Sequence, residues 1–196
     1  MFRTGELIAV PEVRLIAKKA LVVLVIAIGF PGSFMLLASA ANAQEARTAA
    51  SMAALKDKTA KLGAPKIEGT EAVGNKSAPA LYFGSTKMNN NFTIVDEVAK
   101  EGGPGMAATL FVKAGVQQAR AAAGEEYIRV ATSVLLPDGR PAVGTVMGSP
   151  ALESIRAGEP YYGEVEVLGT QYITDYEPIK DASGETIGAY FVGYKK

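Results

Sequence analysis

The sequence predicts an α+β fold in which one long helix precedes an antiparallel sheet of about five strands. The segment before the sheet is rich in Ala, Met and Leu, which favour helices, whereas the later part alternates β-branched and aromatic residues between glycine-containing turns. Strands joined by such short turns pair antiparallel. With 196 residues, the chain has the length of a single domain built around one core.

The N-terminal segment indicates export from the cytoplasm. Residues 14–19 hold three basic side chains, the run 20–30 is apolar, and an Ala-Asn-Ala pattern at 41–43 suits signal peptidase. Residues 1–43 are therefore predicted to be a signal peptide. The alternative is an uncleaved inner-membrane anchor, because residues 20–41 approach the roughly 20 apolar residues that a spanning helix needs. Both place the domain in the periplasm or outside the cell.

Residues 44–78 are predicted to form an N-terminal helix and a linker. The stretch 44–62 is rich in helix formers, with Asp57 and Lys61 at i,i+4 spacing, and Gly and Pro end it. Its mostly alanine face suits either packing on the domain or docking to a partner. The residues that follow, 63–79, contain Gly, Pro, Ser and Asn without periodicity, which indicates a linker or long loop.

Residues 79–196 are predicted to form the folded domain. A capping-box pattern at Thr93 predicts a short helix ending near residue 102, and Ser149-Pro150 predicts a second, with Ser as N-cap and closing at Gly158. The predicted strands are 107–115, 125–136, 161–169, 170–179 and 185–194.

The composition excludes several kinds of chemistry. The chain has no His and no Cys, which removes imidazole–zinc sites, thiolate catalysis and the usual nucleophile–base pairs. Its net charge is zero, so no nucleic-acid partner is expected. Glu164 and Glu166 share one strand face and are interpreted as a solvated edge. Arg140, in the turn after residue 137, is interpreted as a solvent-facing side chain. No catalytic residue, metal or cofactor is predicted, and the protein is expected not to be an enzyme.

Polar side chains in two strands suggest a ligand pocket. Tyr172, Thr174 and Tyr176 share one face of their strand, and Arg129 lies within the strand 125–136. Hydroxyl groups together with a guanidinium fork suit a small carboxylate. The predicted partner is therefore a small molecule, with a short organic acid favoured.

Four short motifs in the sequence are similar to those of a known protein family. They are G-x-x-Y-x-G at 158–163, L-G-x-x-Y at 168–172, Y-x-P-I at 176–179 and D-x-x-G-x-x-I-G at 181–188. From about Pro79 to Tyr194, the sequence resembles the single-Cache domains, the PAS-like extracytoplasmic sensors of bacterial chemoreceptors and histidine kinases, which serve functions such as chemotaxis.

The resemblance implies a PAS-like antiparallel sheet whose pocket lies between one sheet face and a helix-containing loop. The lining residues it implies are Phe111, Arg129, Thr132, Tyr161, Tyr172 and Thr174. On an ideal strand Arg129 and Thr132 face opposite sides, so both reach the pocket only if a β-bulge or an end-on approach intervenes.

The sequence stops at Lys195-Lys196 without a second membrane helix. We therefore expect a stand-alone sensor or ligand-presenting module without its own transmitter, working with a membrane receptor. The alternative is an interaction or structural subunit of a larger extracytoplasmic assembly that uses the same fold.

Overall fold

A computed structural model describes residues 34–115 and 125–196 of the chain. These residues form three helices and eight strands. In chain order they are α1 (Phe34–Ala60), β1 (Pro65–Val73), β2 (Lys76–Phe83), β3 (Thr86–Lys87), α2 (Thr93–Gly102), β4 (Met106–Ala114), β5 (Glu126–Thr132), α3 (Ala151–Arg156), β6 (Tyr161–Val167), β7 (Thr170–Lys180) and β8 (Thr186–Lys195). Residues 1–33 of the predicted export segment 1–43 lie outside the described residues. Within the described ranges, no helix has the length and apolar character to span a membrane.

The strands form two antiparallel sheets. The larger has the order β5-β4-β8-β7-β6, and its five strands correspond to the five predicted from sequence. The smaller has the order β1-β2-β3. Both sheets pair antiparallel throughout, so the predicted α+β class with a five-stranded antiparallel sheet is confirmed.

The linker predicted for residues 63–79 is wrong, because this segment forms most of a β-hairpin. β1 pairs antiparallel with β2 around a tight turn in which Val73 faces Lys76. Most of β1 is exposed, whereas β2 buries four of its eight side chains, those of Ala78, Ala80, Leu81 and Phe83. A strand that is solvated along most of its length carries little apolar periodicity, which explains why the sequence resembled a loop. Helix α1 also begins earlier than predicted, at Phe34.

The two short helices occur where predicted, but their predicted caps do not form. At α2, Phe92 occupies the N-cap position without a side-chain bond, and the Thr93 backbone N–H donates to Asn91 Oδ1 at 3.2 Å. At α3 the N-cap position belongs to Pro150, and Ser149 makes no capping bond to the backbone. Both helices are held by packing of their apolar sides.

Two buried clusters lie on opposite faces of the five-stranded sheet. On the first, here called the helix face, α1, α2 and the hairpin pack against the sheet around residues such as Leu55, Leu110 and Val192. On the second, here called the cavity face, the segment 133–160 covers Phe111 and Phe191. Each face therefore has its own cover, and the sheet separates them.

Candidate functional site

A β-bulge in β5 brings Arg129 and Thr132 to the same face of the sheet. Phe111 pairs with Arg129 and Thr109 pairs with Thr132, although the β4 residues are two apart and the β5 residues three apart. The extra residue in β5 resets its alternation. Of the two arrangements expected from the sequence, a β-bulge or an end-on approach, the structure therefore shows the bulge, and both side chains lie on the cavity face.

The Arg129 side chain is buried, and no carboxylate of residues 34–115 and 125–196 forms an ion pair with it. It is only 3% exposed, and its guanidinium carbon lies 5.0 Å from the centre of the Phe111 ring. Its Nη1 group donates to Thr145 Oγ1, but its Nε group has no hydrogen-bond partner. Burial lowers the pKa of Arg129 to about 10, and the nearby phenols of Tyr176 and Tyr172 oppose that shift. The guanidinium is therefore still charged at neutral pH.

A small cavity of about 140 Å³ lies beside this guanidinium. Its walls are Arg129, Tyr176, the loop residues 146–148 and the end of β6 at 165–168. Glu166 belongs to that wall, but its side chain is exposed, on the opposite face from its neighbours in β6. The cavity is smaller than the roughly 300–1,000 Å³ of drug-sized pockets, so it suits a small metabolite.

A second cavity of about 300 Å³ adjoins the first. The two share Val167 and Leu168, and Tyr172 lines the second. Burial raises the pKa of both Tyr172 and Tyr176, so their hydroxyl groups are neutral hydrogen-bond donors across the physiological range. A neutral phenol can donate or accept a hydrogen bond, whereas the guanidinium can only donate.

Tyr176 was not among the lining residues implied by the resemblance. It is only 2% exposed, and its ring lies 4.8 Å from that of Phe191 and 6.3 Å from that of Phe111. The signal for it was present, because Tyr176 continues the period of two that Tyr172 and Thr174 begin. Thr145 had no such signal, because it lies in a loop without periodicity.

Three further predicted residues, Thr132, Tyr161 and Thr174, are not among the described residues that line either cavity. Thr132 shares a hydrogen bond of 2.6 Å with Thr109, and Thr174 Oγ1 donates to the Gly163 carbonyl at 2.8 Å. Both hydroxyls are thus engaged within the sheet. Tyr161 is half-buried, and its ring meets that of Tyr176 edge-on at 6.3 Å. Ligand binding by these three residues stays a prediction.

The other charged residues discussed from sequence lie in solvent. Glu164 and Glu166 are exposed on β6, and Arg140 forms an exposed ion pair of 2.7 Å with Asp138. In the part of the chain that the structure describes, no three Asp or Glu side chains are grouped so as to hold a metal ion.

A five-stranded antiparallel sheet with a long N-terminal helix, covered on its other face by a helix-containing loop over a small polar cavity, defines a PAS-like sensor domain. The chain matches the Cache 3/Cache 2 fusion domain over residues 34–196 and belongs to that family. The match includes α1 and the hairpin, whereas the sequence resemblance began near Pro79. No curated protein and no solved structure matches the chain.

Membership of this family confirms the Cache resemblance and the PAS-like fold. Cache domains are typically extracytoplasmic and bind small molecules as sensors. The chain therefore carries a small-molecule sensor domain of the extracytoplasmic type.

Proposed function

We propose that this domain is exported and binds a short organic acid, with Arg129 as the anchor for the ligand carboxylate. It presents the bound ligand to a membrane receptor partner. The uncompensated burial of Arg129 beside a cavity is the observation that supports the proposal most strongly.

The physical reason lies in the cost of burying a charge. Removing an ion from water costs several kcal/mol unless a counter-charge and hydrogen bonds replace the lost solvent. Arg129 has one hydrogen bond to Thr145, and its Nε group has none. A carboxylate can accept from two N–H groups of one guanidinium at once, which supplies both the missing charge and the missing acceptor.

The size of the cavity favours a short carboxylate over a larger anion. Tyr176 lines the cavity of about 140 Å³, which suits a ligand of a few heavy atoms, and Tyr172 lines the adjoining cavity. We further propose binding without turnover. Burial raises the pKa of both phenols, so they stay protonated and are not general bases near neutral pH, and the acidic residue in the cavity wall has an exposed side chain.

Thermal unfolding with a carboxylate panel tests the ligand class. We expect acetate, propionate, lactate or succinate to raise the Tm of protein that has been unfolded and refolded to remove bound ligand. A ligand at 100 times its Kd stabilises the folded state by about 2.7 kcal/mol. Acetamide and propionamide, which lack the charge, should give no shift. Amino acids and purines complete the panel.

The role of Arg129 is tested by substitution with a matched control. Arg129→Met should abolish the Tm shift. Arg140→Met should retain it, because Arg140 is exposed and does not line the cavity. No carboxylate shift with the wild type, or an undiminished shift with Arg129→Met, would contradict the proposal. Recovery of the ligand unchanged after prolonged incubation checks the absence of turnover.

Export is tested by N-terminal sequencing of the protein from fractionated cells. A chain beginning at Gln44 in the soluble periplasmic or secreted fraction shows cleavage, and an intact chain in the membrane fraction shows an anchor. An intact chain confined to the cytosol would contradict export.

A further inference from the structure

The loop 142–148 is bonded to β5 directly at Arg129. The Arg129 backbone N–H donates to the Thr145 carbonyl at 2.9 Å, and the Gly144 N–H donates to the Arg129 carbonyl at 2.9 Å. The far end of the same loop lines the cavity. The loop therefore determines both one wall of the cavity and the backbone position of the buried cation.

The Thr145 hydroxyl connects this loop to the guanidinium itself. Its oxygen accepts from Arg129 Nη1, while its own proton is donated to the Ala142 carbonyl at 2.8 Å. Donation to Ala142 orients the oxygen lone pairs, so the guanidinium is held at one end by an acceptor of fixed direction. The Arg129 Nε group remains without a protein partner.

The hairpin β1–β2 in turn holds this loop through a contact between two backbones. A Cβ on Gly144 (φ +82°) would lie 2.6 Å from the Val73 carbonyl oxygen, and a Cβ on Gly74 (φ +61°) would lie 2.7 Å from that of Val143. Cβ atoms do not approach carbonyl oxygens that closely, so only glycine at both positions allows this contact. No hairpin residue lines the cavity beside Arg129.

We propose that Thr145 is a positioning residue for the carboxylate site, orienting the Arg129 guanidinium, and that the Gly74–Gly144 contact sets the position of Thr145. The proposal rests on the proposed function, in which Arg129 binds a carboxylate. It adds that a change in the hairpin alters carboxylate affinity without touching the ligand. Because the hairpin follows α1 in the chain, it joins the N-terminal helix to the site.

The first experiment isolates the Thr145 hydroxyl. Isothermal titration with the tightest-binding of acetate, propionate, lactate and succinate should show Kd at least about tenfold weaker for Thr145→Val. Thr145→Ser keeps the hydroxyl and should stay within about threefold of the wild type. Thr59→Val is the control, because the buried Thr59 hydroxyl also donates to a backbone carbonyl, that of Leu55 at 2.9 Å, but on the helix face. It should lower the Tm and leave Kd unchanged.

The second experiment isolates the glycine contact. Gly139 (φ +83°) and Gly69 (φ +72°) have similar backbone conformations, but a Cβ at either would meet no atom within 4 Å. Gly144→Ala is compared with Gly139→Ala, and Gly74→Ala with Gly69→Ala, so each pair shares the backbone strain and differs in the contact. The two contact variants should raise the Kd for the same carboxylate by at least about fivefold, and the two controls should raise it by less than about twofold.

The outcomes separate this inference from the proposed function. If the wild type binds no carboxylate of the panel, the proposed function fails and the inference fails with it. If the wild type binds and Thr145→Val binds equally well, only the inference is overturned. Equal effects of contact and control glycine variants overturn the role of the hairpin. Should Gly144→Ala fail to fold, Gly74→Ala and the near-isosteric Thr145→Val still decide the question.

Discussion

The two faces of the five-stranded sheet differ in whether their cationic side chains form ion pairs. On the helix face, Lys56 pairs with Glu177, and nearby Lys58 of α1 reaches the α2 carboxylates Glu97 and Glu101 at 3.1 and 3.0 Å. On the cavity face, Arg129 is more deeply buried than any of these, and no carboxylate of the described residues pairs with it. Within the described residues, the cations on the helix face are thus paired with carboxylates, whereas the cation on the cavity face is not.

The two faces also differ in the side chains that they bury. The helix face is packed mostly with aliphatic side chains, and a buried hydroxyl there, that of Thr59, bonds to a backbone carbonyl. The cavity face combines several aromatic rings with the buried guanidinium. Stability should therefore depend chiefly on the helix face, and ligand affinity on the cavity face.

The largest effect is expected from a cavity made in the helix face. Leu55 in α1 is completely buried, so Leu55→Ala should lower the free energy of unfolding by about 2–5 kcal/mol. The carboxylate Kd of the folded protein should not change, because the helix face does not contact the ligand. Denaturant unfolding and titration below the Tm measure the two quantities. Ile67→Ala, at a side chain 36% exposed, is the control and should cost far less. A higher carboxylate Kd for Leu55→Ala would contradict the assignment of stability to the helix face and of affinity to the cavity face.

The second expected effect is a gain in stability rather than a loss. Arg129→Met should raise the stability of the ligand-free protein by about 1–4 kcal/mol, because an apolar side chain replaces a buried charge without a partner. Burial lowers the pKa of Arg129 to about 10, below its value in the unfolded chain, so the unfolded state binds more protons above this pH. The advantage of the variant should thus be complete well below pH 10 and shrink as the pH rises through 10.

Denaturant unfolding of ligand-free protein at pH 7.5 and at several values above pH 9 measures this advantage. Arg140→Met removes only an exposed ion pair, which water and salt screen, and should change stability little. A loss of stability in Arg129→Met comparable to that of Leu55→Ala would show that the guanidinium is a structural element and not an open binding group.

The sequence was informative wherever a residue pattern reflected one face of a strand. The alternation of Tyr172, Thr174 and Tyr176 predicted a shared face because β7 is regular there and that face is buried. The bulge in β5 could be stated only as a condition, since it depends on pairing with β4. Thr145 and the hairpin contact could not be predicted, because both depend on segments far apart in the chain meeting at backbone atoms.

The smallest effect concerns a carboxyl group on the helix face. Asp175 lies on β7, and its pKa is raised to about 6, chiefly by burial and then by Glu177, while Lys56 opposes the shift. Its ordinary pKa is 3.8, so the folded state binds more protons between these values. The neutral form therefore favours folding, and this contribution is complete below about pH 3.8 and lost as pH rises through 6.

Asp175→Asn keeps a neutral group at this position and should remove that pH dependence. The variant should match the wild type near pH 4 and exceed it in Tm above pH 6, by a modest amount because Asp175 is partly exposed and solvent screens its charge. Thermal unfolding from pH 4 to pH 8 measures the difference, and Asp57→Asn, at an exposed site on α1, is the control. Parallel curves for variant and wild type would mean that Lys56 already neutralises Asp175. A changed carboxylate Kd would mean that charge on the helix face reaches Arg129 through the sheet, which the separation of the two faces does not allow.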